Sequence, residues 1–88
     1  MKILVSAIID SGQTTNQMFV LNSKNYLEFI QNQKEITITL KILEFYGEQD
    51  FRILLSILRS FSRLRIINLS ATHKKFILNE ATLHDLSN

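Results

Sequence analysis

Eighty-eight residues with 45% hydrophobic content make one domain that buries roughly 60–65% of its unfolded surface, a modest core that a partner or a second copy would help. Cysteine and proline are both absent, which excludes disulfides, thiolate metal sites and a cysteine nucleophile and leaves no rigid proline linker. The net charge of +2 is unevenly spread, with four lysines against six carboxylates in residues 1–50 and six cations against two carboxylates in residues 51–88, an asymmetry that suits either an electrostatically steered partner or a solvated helix face.

Lys2 to Ile9 reads as a first strand. Its start is similar to that of a signal peptide, but the apolar run stops at Asp10 with no small-residue cleavage site after it. No segment reaches the roughly 18 apolar residues of a membrane span, so a cytoplasmic chain without a membrane span is expected. Asp10 to Asn16 is a turn cluster in which Gly12 is free to take positive φ. Gln17 to Asn22 follows as a second strand and closes a hairpin. Ser23 is placed to cap a short helix that carries Tyr26, Leu27 and Ile30 on one stripe and ends near Lys34.

Ile36, Ile38, Leu40 and Ile42 alternate with Thr37, Thr39 and Lys41, the period-two pattern of a strand at 36–45. A loop at Tyr46 to Asp50 contains Gly47, and a helix at about 49–62 carries Phe51, Leu54, Leu55, Leu58 and Phe61 on its core face, with Ile53 and Ile57 beside it. A strand at 63–69 and a helix at about 71–80, opened by Ser70, complete the order. Ala81 to Asn88, with Leu83 and Leu86, are expected to fray. Strand, helix, strand in this compass is a βαβ unit, so strands 36–45 and 63–69 should be parallel. The expected fold is a single α/β domain over residues 1–88, in the order ββαβαβα, with a mixed sheet of about four strands and helices mainly on one face. Val5, Phe19, Leu27, Ile30, Ile38, Leu40, Leu54, Leu55, Leu58, Ile66 and Phe76 are its expected core.

The stripe of the central helix opposite its core face reads Arg52, Ser56, Arg59, Ser60 and Arg63. Guanidinium forks bind carboxylates bidentately, and flanking Ile53 and Ile57 would supply contact area, so this ridge is a candidate docking surface. The alternative is a solvated ridge whose apolar flanks are covered by the sheet.

Catalytic and metal chemistry find little support. His73 and His84 lie eleven residues apart without a paired carboxylate or cysteine suited to a closed metal site. His84 and Asp85 are adjacent and would not face each other in a regular element. Ser56 and Ser70 lack a Gly-x-Ser-x-Gly turn, and Gly12 and Gly47 stand alone, so neither a dinucleotide fingerprint nor a phosphate loop is present. No enzyme activity and no cofactor are expected. Arg52, Arg59, Arg63, Arg65, Lys74 and Lys75 could form one basic surface, which makes a small nucleic-acid-binding domain the alternative function. It lacks an aromatic-interleaved sheet motif for RNA.

The order of elements over Gln17 to Leu83 resembles a small STAS domain, the family of anti-sigma-factor antagonists and of the cytoplasmic tails of sulphate transporters. In that resemblance Gly47-Glu48-Gln49-Asp50 stands at the switch loop, Phe51 to Phe61 at the leucine-rich second helix, Arg65-Ile-Ile-Asn-Leu-Ser70 at the next strand, and Thr72-His-Lys-Lys-Phe-Ile77 at the helix after it. Phospho-switched members carry a serine or threonine in that loop, and this chain has none there. Glu48 and Asp50 either mimic the modified state or are ordinary acidic residues of a first helical turn. The resemblance implies a non-catalytic, regulatory protein-interaction module, with Glu48, Gln49, Asp50, Arg52, Ser56 and Arg59 as its partner-binding residues. A protein partner and possible homodimerisation follow as expectations.

Overall fold

β1 (Lys2–Ile8) buries Ile3, Val5 and Ala7, and β3 (Thr37–Glu44) buries Ile38, Leu40 and Ile42. The two strands are antiparallel, with Ile3 opposite Ile42, Val5 opposite Leu40 and Ala7 opposite Ile38. Both period-two patterns therefore fall on one face of the sheet. The structure, a computed structural model, describes residues 1–8, 11–33, 37–61, 63–77 and 85–87.

β2 (Thr14–Val20) pairs antiparallel with the other side of β1, after a turn in which Gly12 has φ +83°. The remaining elements are α1 (Tyr26–Asn32), α2 (Gly47–Ser60), β4 (Arg65–Ile67), α3 (Ala71–Ile77) and β5 (Asp85–Ser87). The sheet order is β2-β1-β3-β4-β5. β3 and β4 are parallel, with Leu40 beside Ile66, so α2 makes the crossover of a βαβ unit as the spacing predicts. Phe29 of α1, Ile53, Leu54, Ile57 and Leu58 of α2, and Ile77 of α3 join the buried strand residues in one core. The helices thus cover one face. The other face carries Leu4, Ser6, Met18, Thr39, Lys41 and Arg65, none of them buried.

Several elements depart from expectation. β2 begins at Thr14, because Thr14, Thr15 and Asn16 pair with Ile8, Ala7 and Ser6 and leave a tighter turn. Ser23 does not cap α1. Asn22 Oδ1 instead accepts the N–H groups of Lys24 and Asn25 at 2.8 and 3.1 Å, an Asx turn that delays the helix to Tyr26. Leu27 is then 56% exposed, and Phe29 occupies the core in its place, edge-on to Phe19 with ring centroids 4.8 Å apart. Phe76 is 59% exposed and Ile77 is fully buried. Leu55, Phe19 and Ile30 sit at the core margin, while Val5, Ile38, Leu40, Leu54, Leu58 and Ile66 are buried as expected.

The buried face of α2 is Asp50, Ile53, Leu54, Ile57 and Leu58. The residues read as a flank are thus its centre, and Phe51, Leu55 and Phe61 lie at the edge. β4 is only three residues long; Asn68, just after it, has φ +69°, a left-handed conformation that stops the ladder and that asparagine tolerates better than most residues. The chain end forms a fifth strand, parallel to β4, with Leu86 beside Ile66 and packed on the core. The strand end at Ile9, the helix end at Lys34, the strand start at Ile36, the helix end at Ser62, residues 78–80 of the last helix, and Leu83 and His84 lie outside the described residues. Among the described residues no helix is long and apolar enough to cross a membrane.

Candidate docking surface on the central helix

The start of α2 fixes the orientation of everything on it. Tyr46 is its N-cap, in extended conformation, and Gly47 follows at φ +70°. One turn later the Asp50 carboxylate reaches back. Its Oδ2 accepts the Tyr46 N–H at 2.7 Å, and its Oδ1 accepts a hydrogen bond from the Met1 ammonium at 3.1 Å. That ammonium also donates to the Leu21 carbonyl at 2.9 Å and is wholly shielded from solvent. With Asp50 held against Met1, the residue that leads into β1, positions three, four, seven and eight further on, namely Ile53, Leu54, Ile57 and Leu58, are turned to the sheet. Asp50 itself is 8% exposed. It belongs to the internal architecture and presents no free carboxylate to a partner.

The other five candidate residues lie along the outer side of α2. Glu48 and Arg52 form an ion pair at 3.1 Å, with side chains 77% and 75% exposed, the i,i+4 arrangement worth a few tenths of a kcal/mol. Gln49, Arg52 and Ser56 border a groove of about 230 Å³ between α1 and α2, completed by Ser23, Tyr26 and Ile53. The Ser56 hydroxyl donates to the Arg52 carbonyl at 3.1 Å, a back-bond that uses up its donor. Arg59 is exposed two turns beyond Arg52. From Glu48 to Arg59 the strip is about 16 Å long at 1.5 Å per residue. Because Ile53 and Ile57 are buried, the strip has no aliphatic flanks of the kind expected. Its apolar contact comes from Tyr26 across the groove.

A second grouping was not singled out from sequence. The His73 ring lies 4.6 Å from that of Phe45 and 5.5 Å from that of Phe51, and Phe76 meets Phe51 edge-on at 6.2 Å. Ser70 Oγ is 2.6 Å from His73 Nδ1 and also accepts the His73 backbone N–H at 3.3 Å. The available signal was the Ser70-x-x-His73 spacing, which matches an N-cap and the third helical residue. As chemistry the pair is a cap: its imidazole is packed against phenyl rings, whereas an activated serine needs a base oriented by a third polar group. Among the described residues no group of three or more His, Asp or Glu is gathered as a metal site.

The basic residues do not share one surface. Arg65 is opposite Thr39 on the uncovered sheet face, whereas Arg52 and Arg59 are on α2 and Lys74 and Lys75 on α3, both on the helical side. No protein-family profile, curated protein or solved structure matches this chain.

Proposed function

We propose that the chain is a non-catalytic protein-interaction module of STAS-like build, and that it docks on or regulates a larger protein or complex through the outer strip of α2. One observation carries this reading. Glu48, Gln49, Arg52 and Arg59 are exposed together on one rigid helix, beside a groove open between α1 and α2. A helix holds such groups in fixed register, and strips of mixed sign set orientation as well as attraction. The partner face that suits it carries carboxylates for Arg52 and Arg59 and an apolar or aromatic side chain for the groove beside Tyr26. No hydroxyl occurs in Gly47 to Asp50, and Asp50 is an internal contact, so the interaction is read as constitutive and not switched by phosphorylation in that loop. A cytoplasmic setting is part of the reading.

Arg65 lies on the opposite sheet face from Arg52, Arg59, Lys74 and Lys75, so the basic surface available to the nucleic-acid alternative is that of α2 and α3 without Arg65. The test is affinity capture of the intact protein from its own cell, comparing the native sequence with Arg52→Glu/Arg59→Glu and with Lys24→Glu/Lys41→Glu. A defined protein that is lost only with the first pair supports the docking strip. Capture of nucleic acid that collapses steeply with salt and ignores sequence supports the alternative.

A further inference from the structure

The outermost strand at one edge of the sheet, β2, is seven residues long, Thr14–Val20. It contains no charged residue and no proline, and its ladder with β1 runs unbroken from Lys2–Val20 to Ile8–Thr14. Edges of monomeric proteins are normally blunted by lysine, proline or a bulge, because a bare row of N–H and C=O groups pairs readily with another strand. None of these devices protects β2; only its last outward carbonyl, that of Val20, is engaged, by the Asn25 side chain at 2.9 Å.

The polarity of that row can be worked out. Just beyond the ladder, Leu21 donates to the Met1 carbonyl at 2.7 Å and the Met1 amine donates to the Leu21 carbonyl at 2.9 Å. Residues that exchange both bonds form a hydrogen-bonded pair, and such pairs alternate along an antiparallel ladder. Phe19, Gln17 and Thr15 therefore direct their backbone groups to β1. Thr14, Asn16, Met18 and Val20 direct theirs outward. All four are exposed, Met18 at 53% and Val20 at 63%.

We infer that this edge pairs with the same edge of a second copy, antiparallel about a twofold axis at Gln17, to make one continuous sheet across the dimer. In this register Thr14 faces Val20 and Asn16 faces Met18 of the second copy. With the symmetry-related pairs, all four outward residues find a partner, about eight hydrogen bonds at two per pair, of which two go to the second lone pair of a Val20 carbonyl that already accepts the Asn25 side-chain N–H at 2.9 Å. Gln17 meets its own copy at a pair without backbone bonds, where Cα atoms approach to about 4.5 Å. A primary amide carries both donor and acceptor and is therefore complementary to itself, as a residue on a twofold axis must be. A charged residue there would meet its like.

The second copy is favoured over an unrelated strand because the full length of the edge satisfies itself in this register. The approach is open on both sides of the sheet. A cleft of about 390 Å³, bordered by Gln17, Phe19, Val20, Glu28 and Asn32 among others, separates α1 from this edge, and among the described residues no helix covers the opposite face. The inference is independent of the α2 docking strip, which lies on a different element.

Sedimentation equilibrium of the full chain, from low micromolar to millimolar concentration, tests it. The mass should rise from 10.2 kDa to twice that value. Gln17→Lys and Gln17→Glu each place like charges on the axis and should raise the dissociation constant at least about tenfold. An equimolar mixture of the two should restore dimerisation. Met18→Pro removes an outward N–H and no bond to β1, and should also give a monomer; far-UV circular dichroism establishes that each variant is folded. A native protein that stays at 10.2 kDa throughout overturns the inference, including one that instead binds a strand-forming peptide. So does a dimer unchanged by both Gln17 variants, which would place the interface on another surface.

Discussion

Removing the Asp50 carboxylate is the sharpest perturbation of this fold. In Asp50→Ala the Met1 ammonium would stay buried with only the Leu21 carbonyl as partner, and the Tyr46 N–H would lose its acceptor. Breaking a buried ion pair by deleting one partner costs about 3–5 kcal/mol, and loss of the capping bond is an overlapping cost of about 0.5–2 kcal/mol. A loss of about 3–5 kcal/mol is expected, against a total of about 4–13 kcal/mol for a chain of this length. Asp50→Asn can keep an acceptor for Tyr46 but turns a neutral amide toward the ammonium, so it should recover only about 1 kcal/mol. Glu48→Ala, which removes a carboxylate two residues away on the exposed side, should cost less than about 1 kcal/mol. Urea unfolding followed by far-UV circular dichroism measures all three. Should Asp50→Ala fall within about 1 kcal/mol of the native protein, or match Glu48→Ala, the Asp50 contacts do not anchor α2 and the account of its rotation is wrong.

The rotation of α2 makes a second prediction. Leu54→Ala should cost about 2–5 kcal/mol and Leu55→Ala distinctly less, because Leu54 is fully buried and Leu55 lies at the core margin; the same unfolding assay ranks them. Ser70→Ala should lower stability by about 0.5–2 kcal/mol through loss of the α3 cap, with a change in the His73 ring resonances visible by NMR. Arg52→Glu/Arg59→Glu should change stability by no more than about 1 kcal/mol, as exposed charges do, while abolishing partner capture.

Where backbone periodicity decides the outcome, the sequence was readable. The alternation from Ile36 to Ile42 and the spacing of Leu54 and Leu58 specify β3, α2 and the parallel crossover, since each pattern fits only one element period. Gly12 and Ser70 were readable for the same local reason. What escaped depended on contacts between distant residues. Nothing near Asp50 announces that an amine forty-nine positions earlier holds it, so the expected helix face lies about one residue from the true one and Asp50 falls among the expected partner-binding residues. The stripe of Tyr26, Leu27 and Ile30 puts Leu27 in the expected core, as Phe76 is expected there, but packing sets the helix phase and gives those places to Phe29 and Ile77. The last strand was invisible because Asp85–Ser87 is too short to show periodicity and forms only by pairing with β4.

A photo-crosslinking side chain at Gln49, introduced into the full chain in its own cell, puts the reactive group on the α2 strip itself. The docking account predicts one discrete protein adduct from this position, suppressed when Arg52 and Arg59 are reversed to glutamate, and no such adduct from a probe at Lys41 on the uncovered sheet face. An adduct from Lys41 with none from Gln49 would contradict it and move the functional surface to the other side of the domain.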